Sequence, residues 1–215
     1  ATTSPTSSSF NPRNANHKKS ALIATPKIIG KFFFNFSMRA ILSRYNLSMK
    51  LNQSAPNFSL NDLEGNEHRL ADYRGGVVII NFWSAECPHA ARVDLGLLPL
   101  MEKWGDDVHL LQIASNGNEP IEMLKSVADE RGANPILHDA DHKVADLYEA
   151  TNTPHIYILD AEGVLQYHGA YDDVAFRQRV ATRNYLRDAV ESLLKGSKPQ
   201  VTSVSPFGCT IVRMD

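Results

Sequence analysis

The first fifty residues of this 215-residue chain contain no aspartate or glutamate, and only two cysteines occur anywhere, Cys87 and Cys209. So few cysteines exclude a disulfide-rich secreted scaffold, although two thiols far apart in sequence can still form a redox pair. A net charge of −2 gives no general attraction to nucleic acid or to a membrane surface. Long apolar runs are missing as well. Lys27, Lys31 and Arg39 interrupt residues 21–42, and the uncharged stretch Phe32 to Met38 is far too short to cross a bilayer. No signal-peptide core followed by a small-residue cleavage site is visible, and no segment repeats.

The charge that is present is unevenly placed. Eight of the 22 Lys and Arg lie in residues 1–50, so residues 51–215 hold 14 basic residues against all 24 acidic ones, a net charge of −10. Two such halves do not form one structural unit. Residues 1–48 read as a disordered or basic leader. A basic, acid-free, Ser-containing segment has the composition of an organellar transit peptide or of a basic surface helix. The favoured reading is that it is not part of the functional protein, with Met38 or Met49 as a sensible start. Few cysteines and no signal peptide lean toward the cytoplasm, and the leader leaves organellar targeting open.

From Met49 onward the pattern is regular. Ala55 to Leu60 alternates and ends at the turn Asp62-Leu63-Glu64-Gly65, and His68 to Leu70 pairs back as a hairpin. Val77 to Trp83, entered through Gly75-Gly76, is a strand buried on both faces. Pro88 to Trp104 is a helix with Leu97, Leu98, Met101 and Trp104 inward and a kink at Pro99. Val108 to Ala114 is a second buried strand. Pro120 opens a helix with the stripe Ile121, Leu124 and Val127. Ile136 to His138 is a short strand, followed by a helix from His142 to Glu149. Ile156 to Leu159 and Val164 to His168 form a hairpin. The last helix runs from near Arg177 to Lys195, with Leu186, Ala189, Val190, Leu193 and Leu194 inward and Gly196 as its cap. The expected architecture is α/β: a mixed central sheet with helices on both faces and an N-terminal β-hairpin extension. It occupies residues 49–196, and a tail, 197–215, carries Cys209.

Cys87 falls between a buried strand and a helix that Pro88 starts. The first helical turn offers unpaired N–H groups and the positive end of the dipole, and both favour thiolate, the nucleophilic form. A free cysteine is often only a small buried hydrophobe. Here Trp83, Ser84 and Glu86 crowd the turn around it and favour a reactive role.

Asn81-Phe82-Trp83-Ser84-Ala85-Glu86-Cys87-Pro88-His89-Ala90 resembles the active-site strand and turn of the thioredoxin superfamily, closest to the redoxin group of AhpC/TSA and TlpA/ResA-like proteins. Ala55-Pro56-Asn57-Phe58 and Leu70 to Gly75 are similar to that group's entry segment, and Thr153-Pro154 is similar to its cis-proline loop. The resemblance covers about Leu51 to Lys195. It implies a thioredoxin-like three-layer fold and a thiol-based oxidoreductase that reduces peroxides or disulfides. Cys87 would be the nucleophile, and Trp83, Ser84, Glu86, Pro88, His89, Thr153 and Pro154 would shape the site. Ala90 stands where the family's second Cys-x-x-Cys cysteine would be. Ser84 fits the peroxiredoxin Thr/Ser, but the peroxiredoxin proline falls on Ile80 and its arginine on Pro154.

Cys209, beside Gly208 in an apolar tail, is the candidate resolving cysteine, within one chain or between two; the alternative is an inert tail thiol. The implied partners are a thioredoxin- or glutathione-like electron donor and a peroxide or disulfide substrate, with no nucleic acid, no integral membrane segment, a monomer or homodimer, and no cofactor. His138-Asp139-Ala140-Asp141-His142 has metal-ligand residue types, but reads as a loop with Asp141 as N-cap. Two rivals remain: a non-catalytic binding or redox-sensing module, and a metal chaperone using Cys87, His89 and His155.

Overall fold

The computed structural model describes residues 49–214, so the leader reading for residues 1–48 lies outside the described residues. The described residues belong to one compact unit, Tyr45–Asp215. It opens with a two-stranded antiparallel hairpin, β1 (Ser59–Asn61) and β2 (Glu67–Arg69), with Leu60 opposite His68. Asp62 fixes the turn, its Oδ1 accepting from the N–H groups of Glu64 and Asn66 at 2.9 Å each.

Next comes β3 (Val77–Trp83), every residue of which is buried, and then α1 (Pro88–Trp104) and β4 (Val108–Ala114). The chain continues through α2 (Ile121–Arg131), β5 (Ile136–His138), α3 (Lys143–Leu147), β6 (Asn152–Thr153), β7 (His155–Leu159) and β8 (Leu165–Gly169). It ends with α4 (Tyr185–Leu194), β9 (Ser203–Val204) and β10 (Cys209–Thr210). The main sheet has the order β5-β4-β3-β7-β8-β9. Strands β3, β4 and β5 are parallel, β7 is antiparallel to both β3 and β8, and β9 joins β8 in parallel. This is the expected mixed sheet of a thioredoxin-like α/β fold.

Alternation along β3 explains the layers. Val78, Ile80 and Phe82 face one cluster with Leu111, Ile113, Tyr148 and Tyr157, covered by α3 and the N-terminal segment. Val77 and Ile79 face the other, with Val93 and Leu97 of α1 and Leu186, Ala189 and Val190 of α4. At the C-terminal end of β3, Trp83, Cys87 and Ala90 join Ala114, Leu124 and Ala128 in a third cluster against α2.

Several local expectations are corrected. The last helix starts at Tyr185 and not near Arg177. Asn184 is its N-cap, accepting from Arg187 N–H at 2.8 Å, and Asp173 ties the preceding loop to Thr182 and Arg183. Leu194, at the end of that helix, and Ile121, at the start of α2, are exposed, so those stripes are shorter than the periodicity predicts. Leu98 is only half-buried, and Val93 takes an inward place on α1. That helix runs on through Pro99, which sits one turn after the solvent-facing Leu95, so the Leu95 carbonyl that Pro99 leaves without a donor is on the water side.

Asp141 is not the N-cap of α3; His142 holds that position, and Asp141 pairs with Lys143. The capping carboxylate is the buried Asp139, which accepts from Val144 and Ala145 N–H at 3.0 and 2.9 Å and from the Ser115 hydroxyl at 2.8 Å. Among the described residues, no helix is long and apolar enough to cross a membrane.

Candidate active site

Cys87 is the N-cap of α1, in extended conformation with Pro88 as the first helical residue. The loop that delivers it, Ser84 to Glu86, is gripped on both sides. The buried Glu119 accepts from the Ser84 hydroxyl at 2.5 Å and from the N–H groups of Glu86 and Ala85 at 3.0 and 3.3 Å. Arg131 donates to the carbonyls of Ala85 at 2.6 Å and Ser84 at 3.3 Å. Its guanidinium lies 5.5 Å over the Trp83 ring, whose indole N–H donates to Asp94 at 2.9 Å. Ser84 Oγ in turn accepts from Cys87 N–H at 3.0 Å. The hydroxyl that the peroxiredoxin pattern places near the sulfur is thus engaged by the backbone and by Glu119.

Two groups meet the Cys87 sulfur. The Thr153 carbonyl oxygen lies 3.0 Å away, at a cis peptide bond to Pro154. The Cys209 sulfur lies 2.9 Å away, and both cysteines are free thiols. Cys209 arrives there because the tail adds β10 to β6 in antiparallel register, with Cys209 opposite Thr153. Gly208 is required at the crossing: a Cβ there would stand 2.1 Å from the Thr153 carbonyl oxygen. Beyond Cys209 the chain is pinned by buried Ile211, by Val212 N–H donating to Asn116 Oδ1 at 2.9 Å, and by Arg213 on Asp146 at 2.8 Å.

The two thiols titrate in opposite senses. Burial pushes Cys87 up, but hydrogen bonds from Cys209, from the Thr153 side chain and from the N–H groups of Ala90 and Cys209 outweigh it, so its pKa lies below that of an ordinary thiol. Cys209 is pushed up to about 12, first by burial, then by its hydrogen bond to Cys87 and by the negative charge of Cys87 and Glu119. Of the two sulfurs, Cys87 is therefore the more readily ionised and Cys209 the one that holds its proton more tightly. Cys87 is 2% exposed; Cys209 is more open.

Of the residues singled out in the sequence, Trp83, Ser84, Pro88, Thr153 and Pro154 gather around Cys87 and Cys209. His89 packs edge-on against Phe207 at 4.9 Å, beside the pair and without touching either sulfur. Glu86 points outward, where Asn118 donates to it at 3.0 Å. Arg92 is held by Asp172 at 2.6 Å, and Ile80 is core. His155 is buried against Tyr157, and burial pushes its pKa down to about 3. Among the described residues no three His, Cys, Asp or Glu side chains converge on a metal position. Sequence reasoning missed Glu119, Arg131 and Phe207. Glu119 precedes a helix-starting proline and looks like an ordinary acidic N-terminus, and nothing local marks the other two.

A model of the AhpC/TSA family matches residues 51–168. The thiol-disulfide oxidoreductase ResA of Geobacillus kaustophilus is 28% identical over 156 residues, which cover 71% of this chain and 80% of that protein. The ResA of Geobacillus thermodenitrificans is 33% identical over 120 residues, 54% of this chain and 67% of that one. Among solved structures, a hypothetical protein of Sinorhizobium meliloti is similar with a TM-score of 0.69 and 31% identity, covering 76% of this chain and 94% of that one. An uncharacterized conserved protein of Geobacillus kaustophilus matches with a TM-score of 0.69 and 30% identity, over 77% and 93% of the two chains.

Proposed function

The chain belongs to the AhpC/TSA family and is a thiol-based oxidoreductase, and from that premise we propose that it is a thiol–disulfide oxidoreductase whose redox pair is Cys87 and Cys209. The observation that carries this reading is the 2.9 Å separation of the two sulfurs across the cis-proline loop. Cys209 takes the role that a cysteine at position 90 would have in a local Cys-x-x-Cys pair, and Ala90 there is fully buried.

The Cys87 thiolate attacks one sulfur of a substrate disulfide, R–S–S–R′. A Cys87–S–S–R bond forms, the substrate S–S bond breaks, and R′S⁻ leaves and takes a proton. Cys209 then gives up its proton as its sulfur attacks Cys87 Sγ. The Cys87–Cys209 bond forms, and RS⁻ leaves and is protonated. The chain has lost two electrons and the substrate has become two thiols.

Turnover ends when a thioredoxin- or glutathione-like thiol reduces the internal disulfide. Its thiolate attacks Cys209, the more open sulfur, and expels Cys87, whose lowered pKa makes it the better leaving group. A second donor thiol then attacks the donor sulfur of that mixed disulfide, Cys209 leaves as thiolate and is protonated, and the donor departs as its disulfide. Trp83, Ser84, Pro88 and Thr153-Pro154 position the pair, and His89 and Glu86 border it.

Reduced protein is treated with one equivalent of 2-hydroxyethyl disulfide, followed by intact mass and a non-reducing peptide map. The expected product is a Cys87–Cys209 link. Cys209→Ser stops at a mixed disulfide on Cys87, and Cys87→Ser does not react. An oxidised product without that link overturns the pair. A link formed by hydrogen peroxide and not by the disulfide assigns a peroxidase instead.

A further inference from the structure

Beside the sulfur pair lies an open groove of about 310 Å³ that the redox step does not use. Its walls come from the two segments that carry the cysteines and from the loop before α4. His89 stands two residues after Cys87, and Phe207 two residues before Cys209, so the groove is built on the two segments that carry the sulfurs, although neither cysteine lines it. Phe176 closes the outer side, edge-on to Phe207 at 4.9 Å, although its own ring is 87% exposed. Val174 adds apolar lining.

The charge on this groove is positive. Arg92 and Arg179 line it, and no carboxylate does. Arg92 is held by the buried Asp172 through both of its Nη atoms, at 2.6 and 3.1 Å, and its Nε is buried without an acceptor. Arg179 is different: it is exposed, and among the described residues it makes no ion pair or side-chain hydrogen bond. The loop that carries Arg179 and Phe176 is itself fixed, by the Ala175–Gln178 bridge and by Asp173 on Thr182. An exposed aromatic and an unpaired guanidinium on a tied loop present an apolar surface next to a fork suited to carboxylate.

We propose that this groove is the substrate-recognition site of the redox pair and takes a small carboxylate-bearing disulfide, with Arg179 on the carboxylate and Phe176 and Phe207 against the body of the molecule. This inference rests on the thiol–disulfide reading given above. The volume is at the small end of ligand sites, which suits a peptide-sized molecule rather than a folded protein surface.

The test compares rates of oxidation of the reduced protein by three disulfides: glutathione disulfide (anionic), 2-hydroxyethyl disulfide (neutral) and cystamine (cationic). The expected order is anionic, neutral, cationic, with the spread narrowing at high salt. Arg179→Gln lowers the ratio of anionic to neutral rates by about threefold, the size of an exposed charge pair. Arg177→Gln removes the same charge from the same loop, outside the groove lining, and keeps the ratio.

Equal rates for the three disulfides, or an equal loss in both arginine variants, overturn the proposal and leave the Cys87–Cys209 pair standing. If none of the three oxidises the pair, the thiol–disulfide reading itself fails. The groove is then decided by titration with S-methylglutathione, which cannot exchange. Binding that weakens in Arg179→Gln upholds it, and no binding overturns it.

Discussion

The sulfur of Cys209 stands 2.9 Å from the sulfur of Cys87, although 122 positions of chain separate them. The contact is made by a two-residue strand laid antiparallel on the segment before the cis-proline. A dithiol that Cys-x-x-Cys proteins build within one helical turn is here assembled by the tail.

Removing the Cys209 thiol removes a hydrogen-bond donor from Cys87, so the Cys87 pKa rises in Cys209→Ala. Titration of ultraviolet thiolate absorbance measures it, and an unchanged or lower value would mean that the helix terminus alone sets the thiolate. The linkage to stability has opposite signs at the two sites. Cys87, lowered, contributes stability that is present above the ordinary thiol pKa and lost as pH falls through its own. Cys209, raised, contributes stability that is full below the ordinary value and lost as pH rises toward about 12.

Gly208→Ala drives a methyl group into the Thr153 carbonyl, since a Cβ there lies 2.1 Å from that oxygen and 3.0 Å from Pro154 Cδ. The backbone cannot yield as a flexible side chain would, so the tail lifts. The expected cost is about 1–3 kcal/mol in urea unfolding, with slower closure of the Cys87–Cys209 bond in a stopped-flow assay. Closure at the parent rate would show that the tail is held by β9 and Ile211 alone.

Glu119→Ala leaves the Ser84 hydroxyl and the Glu86 N–H without their acceptor in a buried loop, and costs about 1–3 kcal/mol. Glu119→Gln keeps the volume and one acceptor and removes the charge that helps to raise Cys209. Its Cys209 pKa is therefore lower than the parent's. Thiol titration separates the two effects: a fall in stability with no change at Cys209 would make Glu119 a structural clamp only.

Asp139→Ala removes two helix-capping acceptors and the partner of Ser115, at a cost of about 2 kcal/mol or more. Asp141→Ala loses only an exposed, solvent-screened pair with Lys143 and leaves stability close to the parent's. Thermal unfolding of the two variants side by side tests the assignment, and equal losses would contradict it.

Much of the scaffold was legible because its signals are local. The apolar run Val77 to Trp83, the stripe of α1 and Pro88 after Cys87 state their own structure through side-chain period and backbone restriction, and they mark Cys87 at a helix start. Expectations failed where a distant group decides the outcome. Asp139, not Asp141, caps α3, because burial and Ser115 orient it. The last helix begins at Tyr185, because Asp172 and Asp173 hold the preceding loop to Arg92 and to Thr182.

The sequence by itself determined the fold class, the nucleophile candidate and the absence of a local second cysteine. Tertiary structure alone decided that Cys209 meets Cys87, that Glu119 and Arg131 grip the active loop, and that Phe207 and Phe176 wall a groove beside it. Periodicity reports which way a side chain faces within its own element. Which element lies opposite depends on strand pairing and on close approaches such as Gly208 against Thr153, and those energies exist only once the chain has folded.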